Sequence, residues 1–207
     1  MALESESRTF RDLVILESVR EAYFNISYQT LEIFRQSAGR AGVTHVLKAD
    51  DDTYVRVEAL LGAIAPRRAA AHLFLGWVEN PGGGPHRDRG SRWFVSADEW
   101  PGERYPPWAH GAGYVLGAEL AAEVGRRIAP TRLFKLEDVA VGDWVERVAA
   151  EQGWRVDYAA DTRFNFDGCQ RGDVLSHYIT ALGQRCLHSH AGACSACRGR
   201  KHRGRPH

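Results

Sequence analysis

The stretch Val43-Thr44-His45-Val46-Leu47-Lys48-Ala49-Asp50-Asp51-Asp52-Thr53-Tyr54-Val55 carries a β-branched, apolar segment straight into three carboxylates. Residues 43–47 read as a buried strand. The Asp cluster then lies at its C-terminal end, where open α/β sheets place ligands. Adjacent carboxylates repel one another, and a divalent cation with an anionic cargo would neutralise them. The pattern predicts a metal-dependent nucleotide-binding site. An acidic turn that only solubilises a loop is the competing reading. A calcium loop of the helix-loop-helix type is excluded, because Tyr54 and Val55 stand where its ligands and turn would be.

Outward from this stretch, strand and helix patterns alternate. Leu13-Val14-Ile15-Leu16 reads as a short strand. Tyr28, Leu31, Phe34 and Ala38 recur at helical spacing, with Gly39 and Gly42 ending that helix. Residues 57–65 form a helix stopped by Pro66, and Leu73-Phe74-Leu75-Gly76-Trp77-Val78 a strand. Residues 80–92, rich in Gly, Pro and charge, read as a mobile loop. Trp93-Phe94-Val95-Ser96 follows as a short strand. Tyr105-Pro106-Pro107-Trp108 then enters a loop, His110-Gly111-Ala112-Gly113-Tyr114. Helices are expected over 118–128 and from Leu136-Glu137-Asp138-Val139, the latter burying Val141, Trp144, Val145 and Val148. Trp154-Arg155-Val156-Asp157-Tyr158 closes the series as a strand. The alternation predicts an α/β domain over 13–190, with a mostly parallel central sheet flanked by helices. Residues 1–12 are polar and expected to be disordered, as is the basic, Cys/His-rich tail 191–207.

The 207 residues, 44% hydrophobic, suffice for one domain with a sizeable core. A net charge of +1 argues against a nucleic-acid surface, and the basic run 198–205 reads as a solvated end. No run approaches a membrane span and no apolar signal core follows Met1, so the chain as written reads as soluble. Six Trp, seven Tyr and eight Phe exceed what a small core needs, and sugar-binding clefts are one use for the surplus. Cys169, Cys186, Cys194 and Cys197 cluster near the C-terminus, which suits local disulfides in an oxidising compartment, with three possible connectivities. With His188 and His190 they could instead hold zinc, although the spacing is irregular. Asn25-Ile26-Ser27 is a glycosylation sequon, used only in the secretory pathway.

The Asp triplet resembles the DxD motif of the GT-A glycosyltransferases. A nucleotide-sugar donor loses a diphosphate, whose developing charge a cation stabilises. The likeness extends through Arg11-Asp12-Leu13, Ala22-Tyr23-Phe24-Asn25-Ile26-Ser27-Tyr28-Gln29-Thr30, Lys48-Ala49-Asp50-Asp51-Asp52 and Pro85-His86-Arg87-Asp88. It continues through Ser91-Arg92-Trp93-Phe94-Val95-Ser96, Tyr105-Pro106-Pro107-Trp108, Gly111-Ala112-Gly113-Tyr114-Val115-Leu116 and Glu137-Asp138-Val139 with Gly142. In order and spacing this resembles the β-1,3-galactosyltransferase family (glycosyltransferase family 31) over about residues 11–180. The wording is nearest to the branch that builds the glycosaminoglycan linker. That branch also lacks the Cys that many members carry where Ala109 stands here, and it shares the Asp161-Thr-Arg163-Phe164 and Gly168-Cys169 pattern.

The resemblance implies a GT-A domain and an inverting hexosyltransferase. It would move galactose, or N-acetylglucosamine, from a UDP-sugar such as UDP-galactose to a glycan acceptor on protein or proteoglycan. Asp52 and Asp50 would bind Mn²⁺, with Mg²⁺ possible, and His177 would add a ligand. Lys48, Asp50 and Asp51 would meet the donor. Asp138 would be the catalytic base, its ionised form favoured at a helix N-terminus. Trp108, Gly111, Gly113, Tyr114 and Glu137 would shape the sugar and acceptor cleft. Taken alone, Asp138 could be a helix cap, His177 a surface residue, and Trp108 and Tyr114 core. Family members are type II Golgi proteins with a membrane anchor and a first βα unit. This chain begins after that unit, so the alternative expectation is an incomplete fragment or relative that binds glycan or a partner without turnover.

Overall fold

The computed structural model describes residues 2–16, 20, 22, 25–38, 40–130 and 133–197. In chain order, α1 (Ala2–Phe10) and α2 (Ile26–Ser37) precede β1 (His45–Ala49). The Asp triplet then turns into β2 (Tyr54–Val55), α3 (Val57–Ile64) and a 3₁₀ turn, Ala65–Arg67, that accommodates Pro66. Next come β3 (Leu73–Glu79), β4 (Trp108–Gly117), α4 (Ala118–Arg127), α5 (Glu137–Gln152) and β5 (Asp157–Ala160). Short β6 (Phe164–Asn165) and β7 (Leu175–Ser176) lead to α6 (Ala181–Ser189) and a 3₁₀ turn, Cys194–Cys197.

The main sheet has the order β1-β4-β3-β5, and a second sheet the order β2-β7-β6. The expected mostly parallel sheet is mixed. β1, β3 and β5 point one way, while β4 runs between β1 and β3 against both, so only β3 and β5 are paired in parallel. The reason is a segment misread from its glycines: His110–Tyr114 is no loop but part of the ten-residue β4. Glycine weakens a strand in general but also allows another backbone to come close. A Cβ on Gly113 would lie 2.7 Å from Leu175 Cδ2 and 3.1 Å from the Lys48 carbonyl.

Period-two alternation splits the sheet's side chains between two cores. Phe74, Tyr114 and Leu116 face α2, α4 and α5 with Leu31, Phe34, Leu120, Val124, Trp144 and Val148. Leu73, Leu75 and Val115 face the opposite way, onto Leu60, Phe164, Val174 and Leu175. Phe74 meets Tyr114 edge-on at 5.5 Å. Truncating it to alanine would cost about 3–5 kcal/mol in lost transfer energy and cavity. At the end of α5, Gly153 takes a left-handed conformation (φ 66°), and its N–H caps the helix.

Several expectations are corrected here. Leu13–Leu16 pairs with no described strand, and Val14 and Ile15 are about half exposed, because β-branched residues become a strand only when an edge is offered. Around Trp93–Ser96 there is only a single bridge, His86 to Phe94. The last strand of the main sheet starts at Asp157 rather than Trp154, whose N–H is still closing α5 on Ala149. Residues Ala2–Phe10 are helical where a disordered start was expected. Ala191 to Cys197 are ordered, because disulfides Cys169–Cys194 and Cys186–Cys197 pin them down. Those bonds consume all four sulfurs, so the zinc alternative falls. Tyr23, Phe24, Gly39 and the basic run 198–205 lie outside the described residues. None of the described helices is long and apolar enough to cross a membrane.

Candidate active site

The ends of β1, β3 and β5 and the start of β4 line one edge of the main sheet, and the expected site residues gather there. The Asp50 N–H donates to the Ala112 carbonyl at 3.3 Å, and the Thr53 hydroxyl donates to the same oxygen at 2.9 Å. The acidic turn is thereby stapled to β4. His177, just past β7, brings Nε2 to 3.0 Å from Asp52 Oδ1 and 3.6 Å from Asp50 Oδ2. Its Nδ1 lies 3.1 Å from the Phe166 carbonyl. A carbonyl only accepts, so Nδ1 donates to it, and Nε2 is the ring nitrogen that faces the carboxylates.

One ligand atom from each of Asp50, Asp52 and His177 lies within 4.8 Å of the others. Two carboxylates with one imidazole make a mixed oxygen and nitrogen set that could hold a divalent cation. Asp51 turns to solvent, and its carbonyl accepts from the Gln184 amide at 2.6 Å.

Lys48 was expected at the donor. It is 5% exposed, and its three N–H bonds are already spent: on Asp50 Oδ1 (2.5 Å), the Gly111 carbonyl (2.7 Å) and Glu137 Oε2 (3.3 Å). Burial works against its charge, but Glu137 and Asp50 outweigh that and hold the ammonium up at about 12. Lys48 is therefore the internal counter-ion of the acidic cluster.

Glu137 and Tyr114 were expected in the sugar cleft. Both are sealed in the interior, the Tyr114 hydroxyl donating to Glu137 Oε1 at 2.6 Å. Burial, then the charge of Glu137, pushes the phenol well above its ordinary range. Gly113 is likewise buried in the sheet. Gly113 and Tyr114 lie in the continuously buried stretch of β4, residues 112–117, and Glu137 is buried in the first turn of α5, so none of the three faces an open cleft. Gly111 and Trp108 are half-buried at the site's edge. A Cβ on Gly111 would stand 3.7 Å from Asp138 Oδ2.

Asp138 occupies the first turn of α5, and the Val139 N–H donates to its Oδ1 at 2.9 Å. Burial, then the charge of Glu137, raises its carboxyl to about 7, against the pull of that N–H and of Lys48. The helix N-terminus alone would keep it ionised at far lower pH. A carboxylate poised near neutrality can both lose and accept a proton there.

The sequon is folded into the start of α2. The Asn25 amide donates to the Arg20 carbonyl at 2.8 Å, and the buried Ser27 hydroxyl donates to the Phe134 carbonyl at 2.8 Å.

Sequence patterns missed other residues at this edge. The His110 ring stacks on Phe166 at 3.9 Å, with Nε2 3.2 Å from Glu79 Oε1. Tyr178 stacks on His177 at 3.9 Å from a left-handed backbone (φ 56°), a strained conformation for a bulky side chain. Arg56 reaches behind His177 to Ser176. Proximity to the Asp triplet in sequence was a usable signal for Arg56 alone.

Residues 1–153 match the family model described as Galactosyltransferase. The chain is 35% identical over 189 residues to β-1,3-galactosyltransferase GALT1 of Arabidopsis thaliana, covering 90% of this chain and 29% of that protein. It is 32% identical over 188 residues to hydroxyproline O-galactosyltransferase GALT5 of the same plant, covering 89% and 27%. Over 146 residues it is 35% identical to β-1,3-galactosyltransferase 1 of Mus musculus, covering 68% and 43%. The chain thus spans less than half the length of each of these curated relatives.

Proposed function

This chain belongs to the galactosyltransferase family, and on that premise we propose that it carries the site of an inverting, Mn²⁺-dependent hexosyltransferase. The reaction would move galactose (or N-acetylglucosamine) from a UDP-sugar to a hydroxyl of a protein-borne glycan, in β-1,3 linkage. The observation that carries this reading is the convergence of Asp50, Asp52 and His177 within 4.8 Å, joined through Lys48 to the helix start bearing Asp138.

Asp50, Asp52 and His177 Nε2 would hold the cation, which when bound stabilises the charge developing on the departing diphosphate. Asp138 takes the proton of the acceptor hydroxyl as that oxygen attacks the anomeric carbon. The carbon–oxygen bond to the diphosphate breaks on the opposite face, and the anomeric configuration inverts. Lys48 and Glu137 keep the cation-binding turn and the base in one rigid frame. The two disulfides support an oxidising compartment, the Golgi lumen of the resemblance.

Calorimetric titration of UDP into this chain, with and without Mn²⁺, tests the reading. Mn²⁺-dependent binding, followed by transfer to a galactoside or glycosaminoglycan-linker acceptor, is expected. A folded chain that binds glycan but neither UDP nor Mn²⁺ would point instead to a binding protein without turnover.

A further inference from the structure

We infer that Arg56 is the positioning residue that sets His177 against the Asp triplet, a role that rests on the metal-site reading above. The cation ligands come from two distant segments, residues 50–52 and His177. Their regular pairing is only two residues deep, Tyr54 with Ser176 and Val55 with Leu175. A ladder this short is marginal on its own. Arg56 immediately follows β2, and its N–H continues the pairing to the Val174 carbonyl at 2.9 Å.

Its guanidinium then does what the ladder cannot. One nitrogen donates to Ser176 Oγ at 3.0 Å, directly beside His177. Nε and the other terminal nitrogen donate to the Gly192 carbonyl at 3.1 and 2.8 Å. That second nitrogen also lies 3.3 and 3.2 Å from the sulfurs of Cys169 and Cys194. The Ser176 hydroxyl in turn donates to Asp173 Oδ2 at 2.8 Å, an oxygen that also accepts from the Asn165 amide and the Gln170 N–H.

The Cys169–Cys194 disulfide closes a loop that contains Asp173, Ser176, His177 and Gly192, and Arg56 fills the centre of that loop. Gly192 has a left-handed backbone (φ 77°), which favours glycine, and a Cβ there would stand 2.7 Å from Arg56 Nε. The hydrogen bonds of the Arg56 guanidinium thus run from the acidic segment to the loop that carries the imidazole. A lysine could fill one of these contacts but not the fork.

The test is Mn²⁺ titration by calorimetry, with melting temperature as a parallel readout. The variants are Arg56→Met, Arg56→Lys and the pair Cys169→Ser/Cys194→Ser. The controls are Leu120→Ala in the distant core and the pair Cys186→Ser/Cys197→Ser. Arg56→Met should weaken Mn²⁺ binding by about 10- to 100-fold, as loss of an outer-sphere support does. Arg56→Lys should fall between it and wild type, and loss of the Cys169–Cys194 bond should also weaken binding. The controls should lose melting temperature while keeping Mn²⁺ affinity. Wild-type affinity in a folded Arg56→Met chain would overturn the proposal. Should that variant not fold, unchanged affinity in Arg56→Lys and in Cys169→Ser/Cys194→Ser would overturn it instead. A wild-type chain that binds no Mn²⁺ would overturn the metal-site reading, and this role with it.

Discussion

Lys48 Nζ lies 3.3 Å from Glu137 Oε2, with the two side chains 5% and 4% exposed. This buried contact joins the strand that delivers the Asp triplet to the helix that presents Asp138. Neither segment could shift without stranding a charge in the interior, so the two halves of the site are held as one body.

Lys48→Met should therefore destabilise the chain by about 3–5 kcal/mol, because it leaves Glu137 and Asp50 facing each other without a cation. Chemical denaturation of the variant checks this. The ammonium is held at about 12, above the ordinary value of about 10.4. Its contribution to stability should persist below that ordinary value and disappear as pH rises through about 12.

Asp138 gives the opposite kind of pH dependence from a salt-bridged carboxylate. With its pKa raised to about 7, the folded chain keeps a proton that the unfolded chain releases near pH 4. Stability should fall as pH rises through that window and level off above it. Asp138→Asn should flatten this slope and raise the melting temperature at pH 8. The same variant should lower kcat by about 10²–10⁴-fold while UDP binding is retained. Loss of UDP binding would sink the assignment of Asp138 as base.

Within the triplet the three carboxylates should not be equivalent. Asp52→Asn should remove Mn²⁺ binding and Asp50→Asn weaken it, whereas Asp51→Asn, altering a side chain that faces solvent, should leave it unchanged. Three parallel Mn²⁺ titrations give the ranking, and an equal loss in Asp51→Asn would mean that the turn rearranges on binding.

Gly142 and Gly125 separate site geometry from bulk packing. A Cβ on Gly142 would lie 2.4 Å from the Pro107 carbonyl, and one on Gly125 2.7 Å from the Arg35 nitrogen. Alanine at either position should cost about 1–3 kcal/mol of stability through overpacking. Only Gly142→Ala displaces α5 against the segment entering β4, so only it should also lower kcat in a transfer assay.

Most local elements were legible in the sequence. The apolar spacing of Leu31 and Phe34 marked α2, that of Val141, Trp144, Val145 and Val148 marked α5, and Pro66 marked the end of α3. The triplet's place at a strand end was legible too, because β-branched residues followed by carboxylates leave few alternatives. His110–Tyr114 was not, since two glycines in five residues suggest a loop until β1 and β3 are seen on either side. Leu13–Leu16 erred the other way: strand-forming residues with no described strand beside them.

The sequence by itself determined which residues bear charge, which faces are apolar, and that three carboxylates follow a strand; these are properties of composition and period, set within a few residues of each position. Asp138 and His177 became candidates for chemistry only through the resemblance to a known family, since locally each reads as an ordinary cap or surface residue. Tertiary structure alone decided that Lys48 and Glu137 are spent on each other, that Tyr114 is core, and which of three disulfide pairings forms. It also decided that the Phe166 carbonyl aims His177 Nε2 at the carboxylates. Each of these depends on a partner far away in the chain, and a buried polar group takes its role from the partner that satisfies it.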